Sequence, residues 1–338
     1  MEVITGVPLT ALNSFHVDAL AYAYAPIRTK SDLEDAARVF SPGEVFILGG
    51  GSNILLREAP HRLVLHNQLR GFRIDATQDD HVIIAAGGGE NWHELVCWTL
   101  DQGMGGLENL SLIPGSVGAA PIQNIGAYGV ELNDVFVDLE AFDLVRNEWR
   151  IFSRSDCQFG YRDSFFKKEG KGRFFITEIR LRLTRRNHRL VTTYDALSDK
   201  LAEKGISDPS PRDISEAVQE IRRSKLPSPD QLGNVGSFFK NPIITRSFFS
   251  RLRKEFPDIA YHDVSPKYVK IPAAWLIERC GWKGRRIGPV GTYTHHALVI
   301  VHYGGGSGED IWQFAQQIQQ SVYERFGIAL EPEVNVVS

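Results

Sequence analysis

The chain has 338 residues, 43% hydrophobic and 23% charged, with a formal net charge of −3. That length predicts two or three domains of an ordinary soluble protein, and the near-balanced charge excludes bulk attraction to nucleic acid or an anionic membrane. No run approaches eighteen consecutive apolar residues, so a helical membrane span is not expected. The N-terminal MEVITGVPLTALNSF lacks the basic-then-apolar layout of a secretory signal. Cys97, Cys157 and Cys280 are far apart and odd in number, forming neither a metal pair nor a disulfide framework. Buried thiols in a reducing cytoplasm are expected, and the arginine pairs 185–186 and 222–223 predict solvated faces.

In chain order, SDLEDAARVF predicts a helix opened by a Ser31–Glu34 capping box. EVFILGGGSNILL (44–56) is strand, glycine turn, apolar run. HVIIAAGGG (81–89) repeats strand-then-glycine, and NWHELVCWTLDQG predicts a short helix with Asn91 as N-cap and Gly103 as stop. GGLENLSLIPGSVGAAPIQNIGAYG (105–129) has no sustained helical or strand period, and such a segment is costly to order unless it wraps something. Strands follow at 135–142 and 149–153. RFFITEIRLRL (173–183) alternates, with Phe175, Thr177, Ile179, Leu181 and Leu183 on one face. KGISDPSPRD (204–213) predicts a domain boundary, and ISEAVQEIRRSKL the helix after it. ALVIVHY is a strand, and SGEDIWQFAQQIQQSVYERFG a long amphipathic helix capped by Ser307 and stopped by Gly327.

GGGSN follows a strand, and its glycines can turn sharply and present N–H groups to an anion such as a pyrophosphate, as well as serve in a plain tight turn. LIPGSVGAAPIQNIGAYG (112–129) supplies a second set of such donors. Two glycine-rich segments beside strands point to a large phosphate-bearing cofactor, a flavin nucleotide sooner than a mononucleotide. There is no G-x-G-x-x-G opening a helix, no Walker A loop, no G-x-S-x-G, and HEL (93–95) lacks the second histidine of a zinc helix. His295 and His296 are neighbours that would point to opposite faces of a strand, so no metal is expected.

GGGSN, IPGSVGAAPIQNIGAYGVEL, FGYRDSFFK (159–167), GNVGSFFKNP (233–242) and LEPEV (330–334) occur in this order. Together they resemble the UDP-N-acetylenolpyruvoylglucosamine reductases, flavoenzymes of peptidoglycan precursor synthesis. LVTTYDALSDKL (190–201) is similar to the tyrosine loop of the longer subtype. The resemblance spans essentially the whole chain. It implies an α+β protein with an FAD-binding fold of the vanillyl-alcohol-oxidase/PCMH type plus a C-terminal α+β substrate-binding domain. The expected division is 1–70 (completed by 331–338) and 71–210 for FAD, and 211–330 for substrate.

The resemblance implies non-covalent FAD, NADPH as co-substrate, a UDP-sugar substrate, and a cytoplasmic monomer binding neither nucleic acid nor membrane. For FAD it implies Gly49, Gly50, Gly51, Ser52, Asn53, Pro114, Gly115, Ser116, Gly118, Ala119, Ile122, Gln123, Asn124 and Gly126. For substrate it implies Tyr128, Tyr161, Tyr194, Lys225 and Asn241, together with His296, which stands where the family usually has an amide. Hydride passes from NADPH to flavin N5 and on to the enolpyruvyl methylene carbon. Arg162 and Glu333 stabilise the enediolate, with Glu331 as fallback, and Ser237 donates the proton. Asn335 departs from the arginine often found after LEPEV.

A hydroxyl is a weak acid at pH 7, yet it can protonate a strongly basic enolate, because transfer follows the driving force between the partners. Without the flanking motifs Ser237 would be a turn cap, and each tyrosine a half-buried core residue. Two other functions fit the cofactor pattern: a flavoprotein oxidase or dehydrogenase of the same fold, and a noncatalytic flavin- or sugar-nucleotide-binding protein. Neither has a use for Arg162 with Ser237.

Overall fold

The computed structural model describes residues 1–337. The chain separates into two compact units. Met1–Val7, Leu20–Gly51 and Pro60–Ser224 form the first; Pro8–Ala19, Ser52–Ala59 and the chain from Lys225 onward form the second.

Besides a two-stranded sheet, Gly126–Ala127 with Val130–Glu131, the first unit holds two large sheets. One has the strand order Ile4–Pro8, Leu20–Ile27, Leu63–Asn67, Val45–Leu48, and Leu63–Asn67 runs parallel to both its neighbours. Parallel neighbours need crossovers, and Lys30–Val39 supplies a helix for one. That helix starts earlier than its sequence predicts. Thr29, not Ser31, is the N-cap: its hydroxyl accepts from the Asp32 amide at 3.1 Å, and the Asp32 carboxylate takes the Thr29 amide at 2.9 Å. Thr29-x-x-Asp32 is the first pair able to close the box once the strand ends, so Ser31 lies inside the helix.

The other sheet is antiparallel, in the order Glu148–Ser153, Phe136–Asp143, Phe174–Thr184, His81–Gly87, Phe72–Thr77. Phe174–Thr184 is central, and its expected inner residues, Phe175, Thr177, Ile179, Leu181 and Leu183, are all buried. On the opposite face Arg180 pairs with Asp138 at 2.6 Å, while Ile176 is buried despite lying out of phase. The aperiodic 105–129 segment is ordered as 3-10 turns, Glu108–Leu110 and Val117–Gln123, followed by a two-residue strand.

Compactness does not change hands at the proline-rich 204–213. Asp195–Glu203 and Pro211–Lys225 share a small core of Leu197, Leu201, Ile214, Ala217, Val218 and Ile221. Burying those faces against each other keeps the second helix with the first unit up to Ser224.

In the second unit a four-stranded sheet runs Gly233–Ser237, Val299–His302, Val290–Thr292, Arg286–Ile287. The helix Gly308–Phe326 is capped by Ser307 and ended by Gly327 at φ 66°, as the sequence predicts. A parallel two-stranded ribbon pairs Ile54–Leu56 with Asn335–Val337. Asn335–Val337 thus lies beside 54–56, inside the 1–70 stretch to which the sequence expectation joined 331–338. One core gathers Phe15, Leu55, Phe238, Phe239, Ile311, Phe314 and Val334.

Gly308 begins the long helix directly against the Leu56 carbonyl, and a Cβ there would overlap that oxygen. Gly-to-Ala at a helix position normally stabilises by about 0.5–1 kcal/mol. Here Gly308→Ala is expected instead to destabilise by about 1–3 kcal/mol, because backbone must move. Denaturant unfolding of both proteins checks the sign; a gain in stability would contradict this packing.

Candidate functional site

In the first unit the two glycine-rich segments meet. The Gly50 amide donates to Ser116 Oγ at 3.3 Å. A Cβ on Gly49 would stand 2.5 Å from Ser116 Oγ, and one on Gly50 3.1 Å from the Gly115 Cα. A side chain at Gly49 would have to displace the Ser116 hydroxyl, and one at Gly50 would press on the Gly115 backbone, so the two segments approach through backbone as a cradle requires.

A third glycine turn joins them. The Gly118 amide donates to the Gly88 carbonyl at 2.8 Å, Val117 N to Glu90 O at 2.8 Å, and Trp92 N to Gly115 O at 3.0 Å. A Cβ on Gly118 would meet Gly88 O at 2.9 Å, and Asn67 holds the neighbouring backbone through its bond to Ile176 O at 2.8 Å. Gly88, Gly89 and Asn67 are absent from the sequence-derived site, although the recurrence of strand-then-glycine at 81–89 was the available signal. This apposition of glycine backbones fits a flat, phosphate-bearing cofactor. Ala119 is exposed, and Pro114, Gly115 and Ser116 start the second wall.

The remaining loop residues divide between lining and bracing. Asn124 is buried at φ 44°. Its amide donates to Glu131 Oε2 at 2.7 Å and Gly160 O at 3.1 Å, and its oxygen takes the Asn133 amide at 3.0 Å. Its side chain is thus committed to holding the loop. Lys167 Nζ donates to Gln123 Oε1 at 3.3 Å, and Ser164 Oγ to Ile122 O at 2.7 Å, which locks 122–124 onto the 160–167 segment.

That segment carries Arg162, whose φ of 52° lies in the left-handed region; Tyr128 is there too, at 49°. Bulky residues seldom adopt it, and such strain concentrates where a side chain must be aimed. Arg162 Nη2 donates to Gly126 O at 2.5 Å, and the guanidinium lies over the Tyr161 ring, 5.4 Å from its centroid. Tyr128 packs edge-on against Tyr194 with centroids 5.3 Å apart, and its carbonyl accepts from Asn109 Nδ2 at 2.9 Å. Burial pushes the Tyr128 hydroxyl above its usual pKa, so it stays protonated. The structure therefore gathers Gly126, Tyr128, Tyr161, Arg162 and Tyr194 in one unit.

In the second unit the structure gathers Ser52, Asn53, Ser237 and Glu333. The Glu333 amide donates to Phe238 O at 2.8 Å and Lys240 N to Glu331 O at 2.9 Å, so 331–333 forms a ladder beside 238–240. Asn53 Nδ2 donates to Glu333 O at 3.3 Å; Asn335 returns both its amide and its Nδ2 to Asn53 O, each at 3.1 Å. The residue that departs from the family pattern thus anchors the GGGSN end. Glu331 is exposed and pairs with Lys240 at 3.3 Å, whereas Glu333 is half-buried.

Ser237 follows Gly236, which sits at φ 72°. The local turn is capped by Asn234, whose Oδ1 takes the Gly236 amide at 2.9 Å. No hydrogen bond engages the Ser237 hydroxyl among the described residues. Phe238 and Phe239 are fully buried, edge-on to each other at 5.0 Å.

Asn241 Oδ1 accepts from Ala273 N at 2.9 Å, and its Nδ2 has no partner among the described residues. Lys225 is exposed, ending its helix without an ion pair among the described residues. His296 Nδ1 accepts the Leu298 amide at 3.3 Å, which leaves Nε2 as the N–H donor. Burial, then the charges of Lys225 and Lys283, hold its pKa below the ordinary value, so it is neutral at pH 7. Among the described residues no group of three metal-ligating side chains is found.

A family model described as "UDP-N-acetylenolpyruvoylglucosamine reductase, C-terminal domain" matches residues 228–337, and one described as "FAD binding domain" matches 22–146. A UDP-N-acetylenolpyruvoylglucosamine reductase of Flavobacterium johnsoniae is 44% identical over 337 residues, covering 100% of both chains. The chain belongs to the UDP-N-acetylenolpyruvoylglucosamine reductase family. It is an FAD-dependent oxidoreductase. The Pseudomonas aeruginosa member is 46% identical over 97% of each chain. The crystal structure of the Thermus caldophilus enzyme shares the fold, with a TM-score of 0.69 at 22% identity, covering 100% of this chain and 98% of that one.

If the glycine backbones form the FAD cradle, Gly118→Ala pushes the 116–119 wall off Gly88. The purified variant is expected to retain far less flavin per protein than the parent, by about tenfold in affinity for one lost charge-assisted contact. Absorbance at the flavin bands against protein checks this; full flavin retention would contradict it.

Proposed function

We propose that this protein reduces UDP-N-acetylglucosamine enolpyruvate to UDP-N-acetylmuramate with NADPH as the electron source. FAD, when bound, would supply the hydride chemistry between NADPH and the enolpyruvyl sugar. The glycines at 49–51 and 115–118, with Ser52 and Asn53, hold that cofactor. Lys225, Asn241, His296, Tyr194, Tyr161 and Tyr128 hold the UDP-sugar. Asn241 Nδ2, His296 Nε2 and Lys225 Nζ have no hydrogen-bond partner among the described residues and are suited to phosphate oxygens.

Hydride arrival at the methylene carbon leaves negative charge on the adjacent carbon and its carboxylate. A planar guanidinium aimed by a strained backbone suits that carboxylate, which is the role of Arg162. Glu333 shares in stabilising the developing charge. Ser237 then gives its proton to the carbon.

The observation that carries the assignment is the Ser237 hydroxyl. Asn234 already caps the turn, so the hydroxyl has no structural task, while the buried Phe238 and Phe239 fix the position of the strand that presents it. An oxidase or a binding protein gives no reason for that arrangement.

Ser237→Ala is expected to slow reoxidation of reduced flavin by the enolpyruvyl sugar by about 100-fold or more. Reduction by NADPH should be nearly unchanged. Anaerobic stopped-flow of each half-reaction separates the two, and equal slowing of both would remove Ser237 from the proton's path. In the same assay Glu333→Ala should be severe and Glu331→Ala mild, since the latter loses only an exposed ion pair.

A further inference from the structure

Two buried side-chain polar atoms have no hydrogen-bond partner among the described residues: Asn109 Oδ1 and Arg222 Nε. Both belong to the surroundings of Tyr128. Asn109 is otherwise used, its amide holding the Tyr128 and Val191 carbonyls at 2.9 and 2.8 Å. Arg222 is not. No hydrogen bond or ion pair to it is present among the described residues, although it lies in the last turn of the helix Pro211–Lys225.

The titratable groups that act on Arg222 are Tyr128 and Arg162. The first is a protonated phenol and the second is another cation, so no carboxylate offsets it. Burial holds its pKa below the usual arginine value, as expected for a cation taken out of water without a counter-charge. A half-buried guanidinium whose Nε is enclosed without a partner, and which feels a second cation, is costly in the free protein. It becomes favourable once one anion lies against both.

We propose that Arg222 is a second guanidinium for the substrate's enolpyruvyl carboxylate, sharing that anion with Arg162. This rests on the reductase function proposed above. Arg162 takes the carboxylate from the side fixed by Gly126 and Tyr161, and Arg222 from the side of Tyr128. Two forks on one carboxylate orient its plane, and with it the adjacent carbon that must be protonated on a single face. Arg223, its neighbour, is exposed and donates to Gln219 Oε1 at 2.9 Å, an ordinary surface arginine. The pair predicted to be a solvated face is therefore split, with one arginine outward and one inward.

The test uses FAD-loaded protein, with ligand binding followed by flavin absorbance. Turnover of the enolpyruvyl sugar by the parent protein comes first; if it is absent, the function itself falls and this inference with it. Arg222→Met is then expected to weaken enolpyruvyl-sugar binding by about tenfold or more. UDP-N-acetylglucosamine, which has the diphosphate but no carboxylate, should bind as before. Arg222→Lys should recover part of the loss. The melting temperature of Arg222→Met without substrate should be equal to or above the parent's, since an uncompensated buried cation has been removed. Equal weakening of both ligands would place Arg222 on the diphosphate, and loss of flavin would place it on the cofactor. Unchanged binding, or a lowered melting temperature, would make it structural. Each of these four results overturns the proposal.

Discussion

The hydrogen bond from the Glu333 amide to the Phe238 carbonyl is the constraint on which the arrangement of the second unit's candidate residues depends. It ties the last strand of the chain to the segment that carries Ser237. Asn53 and Asn335 extend the tie to the end of the GGGSN turn. Three stretches more than 90 residues apart in sequence are thereby held in register by backbone donors and acceptors, which cannot shift without leaving buried groups unpaired. The phenylalanines beside Ser237 fill the core underneath, so its strand is fixed from below as well as from the side.

In the first unit precision comes from steric exclusion and strain. Glycine backbones at 49–50, 88 and 115–118 approach closely enough that a Cβ at several of them would collide with a neighbour. Arg162 and Tyr128 sit in the left-handed region, a cost the fold carries because the loops around them are over-determined: Asn124, Ser164 and Asn109 each spend hydrogen bonds on holding a neighbouring backbone. Arg222 extends the same pattern, an unfavourable placement in the free protein that an arriving anion relieves.

Much of the architecture was legible because it rests on local rules. The caps at Asn91 and Ser307, the stop at Gly327 and the alternation of 175–183 follow from short-range hydrogen bonding and periodicity, and all appear as expected. The Ser31 box failed because an equivalent pair two residues earlier closed first. The proline-rich 204–213 segment looked like a boundary, yet the faces of the two flanking helices complete one small core; that complementarity is tertiary and leaves no local mark. Within the candidate site, the glycine segments and Ser237 could be named from motifs. That Asn234 rather than Ser237 caps the turn, that Asn124 is a brace, and that only one of two adjacent arginines is enclosed depend on which way side chains point in a packed structure. No spacing encodes that.

The central claim is that hydride and proton reach different carbons of an enolpyruvyl ether, the proton by way of Ser237. The most direct test is to run the reaction in D2O with unlabelled NADPH and read the product by NMR. The expected product is a lactyl ether with solvent deuterium on the carbon bearing the carboxylate. No solvent deuterium on the carbon bearing the carboxylate, or no lactyl product from flavin-loaded protein, would contradict it.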